Sequence, residues 1–308
     1  MTLRQSLTGI TCPIVTPFDE RGAVDERALG DLLEYLLAGD IDALFPCGTT
    51  GEFASLSRDE HRRVTELTVE QADGEVPVLA GAAATSVDDV LTAIEDAAAV
   101  GADAAVVTPP YFHTANDPAG NQQFFETIAD ESSLPLLLYN IPACTGQGIA
   151  PETVGALASR DDVLGLKDSS GDLEYFLETM RRTADTDTDT DTDADSDFLM
   201  LQGYDALLVP ALRMGADGGV NALSNVAPET YADLYETATG VRGAELQTAV
   251  ADLFDTCGEY GFAPVTKTAL EYHGVIPSAA VRPPFVSVPD DGRAAIERAV
   301  DGLVQSED

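Results

Sequence analysis

Eight short apolar runs recur along this chain, each followed by a stretch with helical periodicity, and few folds accommodate that alternation. The runs are Gly9–Val15, Ala43–Pro46, Val76–Ala80, Ala104–Val107, Leu134–Tyr139, Val163–Lys167, Phe198–Gln202 and Gly218–Val220. Most are apolar throughout rather than at every second position, which is how parallel strands covered on both faces read. The stretches between them start as helices start: Ser57-Arg58-Asp59-Glu60 is a capping box, and Ser86 to Asp89 repeats the idea with an aspartate. Leu29, Leu32, Leu33, Leu36 and Leu37 fall on one helical face, as packing against a sheet requires. Eight βα units in about 230 residues predict a (β/α)8 barrel, the TIM barrel, whose usual size is ~250 residues. A doubly wound open sheet would want Gly-x-Gly-x-x-Gly after its first strand, where Cys12-Pro13-Ile14-Val15-Thr16-Pro17 stands instead.

Helical patterns continue past the eighth unit, at Val250–Tyr260 and Pro264–Tyr272, and a closed barrel has no need of them. The expected organisation is a barrel over residues 1–240 with a C-terminal helical extension over 241–308. Asp185 to Asp197 alternates aspartate mostly with threonine and is expected to be a solvated loop at the bottom of the barrel. It lacks the glycine turn and bidentate glutamate of a calcium loop.

Charge removes whole classes of partner. Acidic residues number 54 against 16 basic ones, giving a formal net charge of −38. Nucleic acid and anionic membrane both demand clustered positive charge, so neither is expected as a partner. Self-repulsion of this size is relieved when salt shortens the Debye length to about 3 Å near molar concentration, so a high-salt, halophilic cytoplasm is the expected setting. The start of the chain carries no basic region followed by an apolar core, and no run approaches the ~18 apolar residues that span a bilayer; a cytoplasmic location is expected. Cys12, Cys47, Cys144 and Cys257 are isolated, as are His61, His113 and His273, so neither a metal centre nor a disulfide framework is expected.

In a barrel, chemistry belongs at the C-terminal ends of the strands. The sixth run ends in Lys167, one of only two lysines in the chain. An amine at the end of a buried strand loses its proton through desolvation and becomes a nucleophile for carbonyl carbon. The alternative is a lysine that snorkels to solvent or pairs with Asp168. The fifth run ends in Tyr139-Asn140-Ile141-Pro142, the fourth leads to Pro109-Pro110-Tyr111, and the seventh opens into Gly203-Tyr204-Asp205. After the second comes Gly48-Thr49-Thr50-Gly51-Glu52, a turn offering amide and hydroxyl donors suited to a small carboxylate.

Taken with Gly165-Leu166-Lys167-Asp168 and Gly215-Ala216-Asp217-Gly218-Gly219-Val220, these motifs resemble, in order and spacing, the pyruvate-dependent class I aldolase family. That family includes dihydrodipicolinate synthase, N-acetylneuraminate lyase and 2-keto-3-deoxygluconate aldolase, and the likeness covers nearly the whole chain. The resemblance implies a Schiff base between Lys167 and a 2-keto acid, with Tyr139 shuttling the proton at the bond made or broken. It implies that Thr49 and Thr50 hold the substrate carboxylate and link through a hydroxyl to that phenol. Tyr111 resembles a tyrosine donated across a dimer interface, so a homodimer or homotetramer is implied. Gly203 and the backbone of Val220 would line the pocket. No metal or organic cofactor is implied, because the iminium is itself the electron sink.

Two departures bear on the substrate. Dihydrodipicolinate synthases that resemble this chain carry an arginine two residues past the proline of the tyrosine motif, where Cys144 stands here, and a thiol makes no bidentate grip on a carboxylate. Asp205 is placed to accept hydrogen bonds from sugar hydroxyls. The expected activity is therefore cleavage of a 2-keto-3-deoxy sugar acid such as 2-keto-3-deoxygluconate, in carbohydrate degradation. Arg213 and Arg242 are candidate grips for a phosphorylated form. The alternatives are 4-hydroxy-tetrahydrodipicolinate synthase, in lysine biosynthesis, and a dehydratase using the same imine. A non-enzymatic binding barrel would have no need for Lys167, Tyr139 and the threonine pair together.

Overall fold

The computed structural model describes residues 2–113, 117–184 and 198–305; the aspartate-rich run 185–197 lies outside them. Eight parallel strands form one sheet: β1 (Gly9–Cys12), β2 (Ala43–Leu44), β3 (Leu79–Gly81), β4 (Ala104–Val107), β5 (Leu136–Asn140), β6 (Val163–Asp168), β7 (Leu199–Gln202) and β8 (Gly218–Val220). Their order is β2-β1-β8-β7-β6-β5-β4-β3, and a bridge between Leu44 and Val78 brings the two ends together. The result is a nearly closed (β/α)8 barrel with helices outside, as the alternation predicts.

The strands β1 and β3 are shorter than the apolar runs that announce them, and proline is the reason. Pro13 has no N–H to extend β1, and Ile14 N–H reaches past it to the Phe45 carbonyl at 3.1 Å. Before β3, Pro77 contributes only its carbonyl, to Leu44 N at 3.0 Å, and Val78 N–H turns to the Asp103 carboxylate at 2.8 Å. Closure between β1 and β8 depends on small residues. Gly9 pairs with Gly218, and a Cβ on Gly218 would lie 2.1 Å from the Gly9 carbonyl oxygen.

Inside the barrel Ala43, Phe45, Leu79, Val106, Leu137 and Leu201 make a closed apolar plug, with Leu7 of the N-terminal segment seated against it. The helix Glu26–Ala38 buries Leu29, Leu32, Leu33 and Leu36, the face its spacing predicts, and Ser57 forms the expected capping box with Glu60. Helices Val241–Tyr260, Phe262–Tyr272 and Asp290–Gln305 follow β8. Leu246, Leu253, Val265 and Ile296 share one core with Ile10, Leu29 and Val226 of the barrel, so the C-terminal helices are packed onto it rather than tethered.

Nine of the fourteen arginines make ion pairs among the described residues, and most of these pairs are solvent-exposed, as between Arg27 and Asp31 or Arg63 and Glu26. Cations are too few to neutralise 54 carboxylates, so the net repulsion falls on solvent ions. Raising KCl from about 0.1 M to about 1 M shortens the Debye length from about 10 Å to about 3 Å and should lift the thermal midpoint by several degrees. A midpoint indifferent to salt in a calorimetric series would show that the charges are too far apart to matter.

Candidate active site

Lys167 is the last residue but one of β6 and is 3 % exposed. Strand pairing sets its neighbour: Tyr139 on β5 is in register with Lys167, after a shift at Leu136/Leu137 that aligns the ends of the two strands. The Lys167 Nζ lies 4.0 Å from the centre of the Tyr139 ring and 5.0 Å from that of Phe45. Burial pushes the amine down to about 7, against the opposing pull of Asp205 and Cys144. Pairing with Asp168 is excluded by geometry. Successive strand residues face opposite sides, and the Asp168 carboxylate is held by the Asn140 amide at 2.7 Å and the Ser170 hydroxyl at 2.9 Å.

Tyr139 is buried, and its hydroxyl lies 3.4 Å from the Thr49 hydroxyl. Burial pushes the phenol up to about 12, opposed by hydrogen bonds with Thr49 and Ser169. Thr49 and the buried Thr50 sit on the turn after β2, whose Gly51 carbonyl is anchored by the Thr16 hydroxyl at 2.7 Å. Gly203, after β7, closes the other side. A Cβ there would lie 2.2 Å from Ser169 Oγ and 2.9 Å from Lys167 Cε, so any other residue would displace the lysine. Lys167, Tyr139, Thr49, Thr50, Gly203 and Val220 line one cavity of about 240 Å3 at the C-terminal mouth of the barrel. That is room for a three-carbon keto acid.

A second cavity, of about 250 Å3, adjoins the first through Thr49, Ile141 and Cys144 and is largely apolar, with Phe53 and Phe285 on its walls. Tyr111 lines this outer groove and not the cavity of its own chain's Lys167. Phe112, next to it, is 85 % exposed with φ of 80°.

The structure changes the reading of Asp205. Its carboxylate, 1 % exposed, takes hydrogen bonds from the Tyr231 hydroxyl at 2.6 Å and from the amides of Leu223 at 3.0 Å and Ala222 at 3.3 Å. Both oxygens are committed to holding the segment after β8, so it is not set out to receive sugar hydroxyls. Arg213 is committed to the carbonyls of Ala238 and Gly240, and Arg242 to Asp233, so neither phosphate candidate reaches the mouth.

Sequence reasoning gave no role to Lys267, the other lysine, on helix Phe262–Tyr272. It is fully buried and ion-paired with Glu52 of the threonine turn. A lysine inside the apolar run Ala263-Pro264-Val265-Thr266-Lys267 was the available signal.

A family model described as the dihydrodipicolinate synthetase family matches residues 6–303. The chain belongs to that family. Its members are pyruvate-dependent class I aldolases, and the protein is a lyase of that kind. The chain is 34% identical over 298 residues, 96% of each protein, to the 4-hydroxy-tetrahydrodipicolinate synthase of Desulfotalea psychrophila. It is 36% identical over 254 residues, 82% of each, to the enzyme of the same name from Natronomonas pharaonis. Among solved structures, YagE of E. coli K12, a prophage protein of this family in complex with pyruvate, superimposes with a TM-score of 0.89 at 28% identity over 97% of this chain and 99% of that one.

These relatives overturn the sugar-acid reading. These relatives, matched over most of the chain, are named as synthases of 4-hydroxy-tetrahydrodipicolinate, not as 2-keto-3-deoxygluconate aldolases. Carbohydrate degradation and a halophilic source find no support in them. The expectation gave two positions, Cys144 and Asp205, more weight than a likeness that runs the length of the chain.

Proposed function

We propose that the protein is a 4-hydroxy-tetrahydrodipicolinate synthase that activates pyruvate as an imine on Lys167. The reading is carried by one observation: a buried amine depressed to about 7, in register with a buried phenol, in a dihydrodipicolinate synthetase family chain. The neutral Nζ adds to C2 of pyruvate and water leaves, giving an iminium that draws electrons from the methyl group. Loss of a methyl proton yields an enamine. The product has seven carbons, so the acceptor is a four-carbon 2-amino acid bearing a terminal aldehyde, aspartate 4-semialdehyde. The enamine carbon attacks that aldehyde, whose oxygen is protonated. The acceptor's own amine then displaces Lys167 from the imine carbon, closing the ring and freeing the enzyme; the balance is one water released.

Tyr139 is the proton shuttle in this scheme, Thr49 relays through its hydroxyl, and Thr49 and Thr50 receive the pyruvate carboxylate. Gly203 and Val220 shape the cavity. Residues 1–240 carry the chemistry and residues 241–308 brace it. Tyr111, outside its own chain's cavity, is assigned to a neighbouring subunit's site, in a homodimer or homotetramer working in the cytoplasm. The test is to mix the protein with pyruvate and aspartate 4-semialdehyde and follow the seven-carbon dicarboxylate by mass spectrometry. Borohydride trapping of pyruvate without that product would retain the imine and reject the acceptor.

The acceptor's carboxylate meets no guanidinium in either cavity. No arginine or lysine other than Lys167 lines either cavity, and Arg282, two residues before Pro284 of the outer cavity, spends its guanidinium on Glu60 and on the carbonyls of Gly22 and Ser55. Cys144→Arg should therefore lower KM for the semialdehyde about tenfold or more, the value of one charge-assisted hydrogen bond, and leave KM for pyruvate unchanged. No change in either would place the acceptor carboxylate elsewhere.

A further inference from the structure

Lys267 has no part in the chemistry just described, yet it is 0 % exposed and reaches the most strained residue of the threonine turn. Glu52 follows Thr49-Thr50-Gly51 directly and adopts left-handed φ 56° and ψ 35°, a conformation that non-glycine residues hold only when their surroundings impose it. The surroundings here are two donors from the C-terminal region. One Glu52 oxygen pairs with the Lys267 ammonium, and the other accepts the Arg282 backbone N–H at 3.0 Å. Lys267 is itself fixed, donating to the Ala280 carbonyl at 2.9 Å with its Nζ 4.0 Å from the centre of the Phe18 ring. The Arg282 guanidinium lies 4.3 Å from the same ring and ties Glu60 to this cluster.

The turn is short enough to transmit that constraint. Glu52 N–H closes onto the Thr49 carbonyl at 3.2 Å, and Phe53 N–H onto the Gly48 carbonyl at 3.3 Å. The torsions at Glu52 therefore help to set where the Thr49 and Thr50 groups point. We propose that Lys267 is a positioning residue for pyruvate: paired with Glu52, it holds the Thr49–Thr50 turn in the shape that receives the keto acid's carboxylate. The proposal rests on the reading that this turn binds that carboxylate. It gives the C-terminal helices a share in substrate binding without any contact to substrate.

Borohydride trapping tests it without reference to the acceptor. In Lys267→Met the pyruvate concentration for half-maximal trapping should rise about tenfold or more, while the trapped fraction at saturating pyruvate and the semialdehyde KM stay close to wild type. Lys267→Arg, which keeps the ion pair, should recover most of the loss. Should Lys267→Met not fold, the double variant Glu52→Gln/Lys267→Met removes both buried charges and should show the same raised requirement for pyruvate. Leu253→Ala, a buried position on helix Val241–Tyr260, controls for general destabilisation and should leave half-saturation unchanged. Wild-type half-saturation in the folded single or double variant, or an equal rise in Leu253→Ala, overturns the positioning role. Thr50→Val separates the two levels. If it raises half-saturation and the Lys267 variants do not, the positioning role of Lys267 is wrong and the turn is right; if Thr50→Val itself has no effect, the reading of the turn fails first.

Discussion

Lys167→Met is expected to reduce condensation to background, to abolish pyruvate trapping, and to make the protein more stable. The first two effects follow from removing the only amine in the cavity. The third follows from what burial does to that amine. In the folded chain its pKa falls to about 7 from an ordinary value of 10.5, and linkage at ~1.4 kcal/mol per pH unit makes a cation at that place cost a few kcal/mol. The sign is fixed by proton uptake: the unfolded chain holds this proton up to pH 10.5, the folded one only to about 7. The penalty is therefore complete below pH 7 and fades as pH rises toward 10.5. Met fills nearly the same volume without the charge, so its advantage in thermal midpoint should be largest near pH 6 and small near pH 10. Equal midpoints at low pH would mean that water reaches the amine. The same shift predicts that imine formation by the wild type climbs with pH and levels off just above 7, where an ordinary lysine would still be almost wholly protonated.

Tyr139→Phe should separate binding from proton transfer. The expected loss in kcat is about 100- to 1000-fold, within the range for a positioned acid–base group, with trapping at saturating pyruvate retained. In the free protein the phenol is pushed up to about 12 by burial, so it holds its proton at neutral pH. Once the adjacent imine is cationic, the ionised phenol is favoured, and the group can give and take a proton within one turnover. The hydroxyl contact with Thr49 offers a path for that proton. A variant that loses trapping as badly as turnover would show that the ring is needed to build the cavity rather than to move protons; Phe keeps the ring and the edge contact with Phe45.

The barrel was legible because strands buried on both faces leave continuous apolar runs, and Gly218–Val220 and Ala104–Val107 stand where they were expected. Strand ends were less so, because Pro13 and Pro77 stop ladders that hydrophobicity alone would extend. The adjacency of Lys167 and Tyr139 was legible from strand ends that lie side by side. Asp205 was not: the Tyr231 hydroxyl that claims it lies 26 residues on, and nothing local distinguishes a carboxylate set out for ligand from one set in to hold a loop. The pairing of Lys267 with Glu52 spans 215 residues: the apolar run around Lys267 marks the lysine as unusual, but nothing near it names its partner. The substrate is a different matter: Cys144 and Asp205 suggest a sugar-acid substrate, while the relatives matched along the chain carry the synthase name.

The scarcity of lysine has a practical side. Both lysine side chains of this chain are buried at or behind the barrel mouth, and every other side-chain cation is a guanidinium or an imidazole. Amine-directed reagents therefore meet no exposed lysine on its surface. Reductive alkylation, acylating dyes and carbonyl cross-linkers, which scatter over most proteins, should leave the folded molecule nearly bare apart from its α-amino group. An adduct on the internal peptide that carries Lys167 then reports on the cavity itself, and pyruvate should protect it. A tryptic digest cut almost wholly at arginine would carry that adduct on one long fragment, readable without isotopic labels.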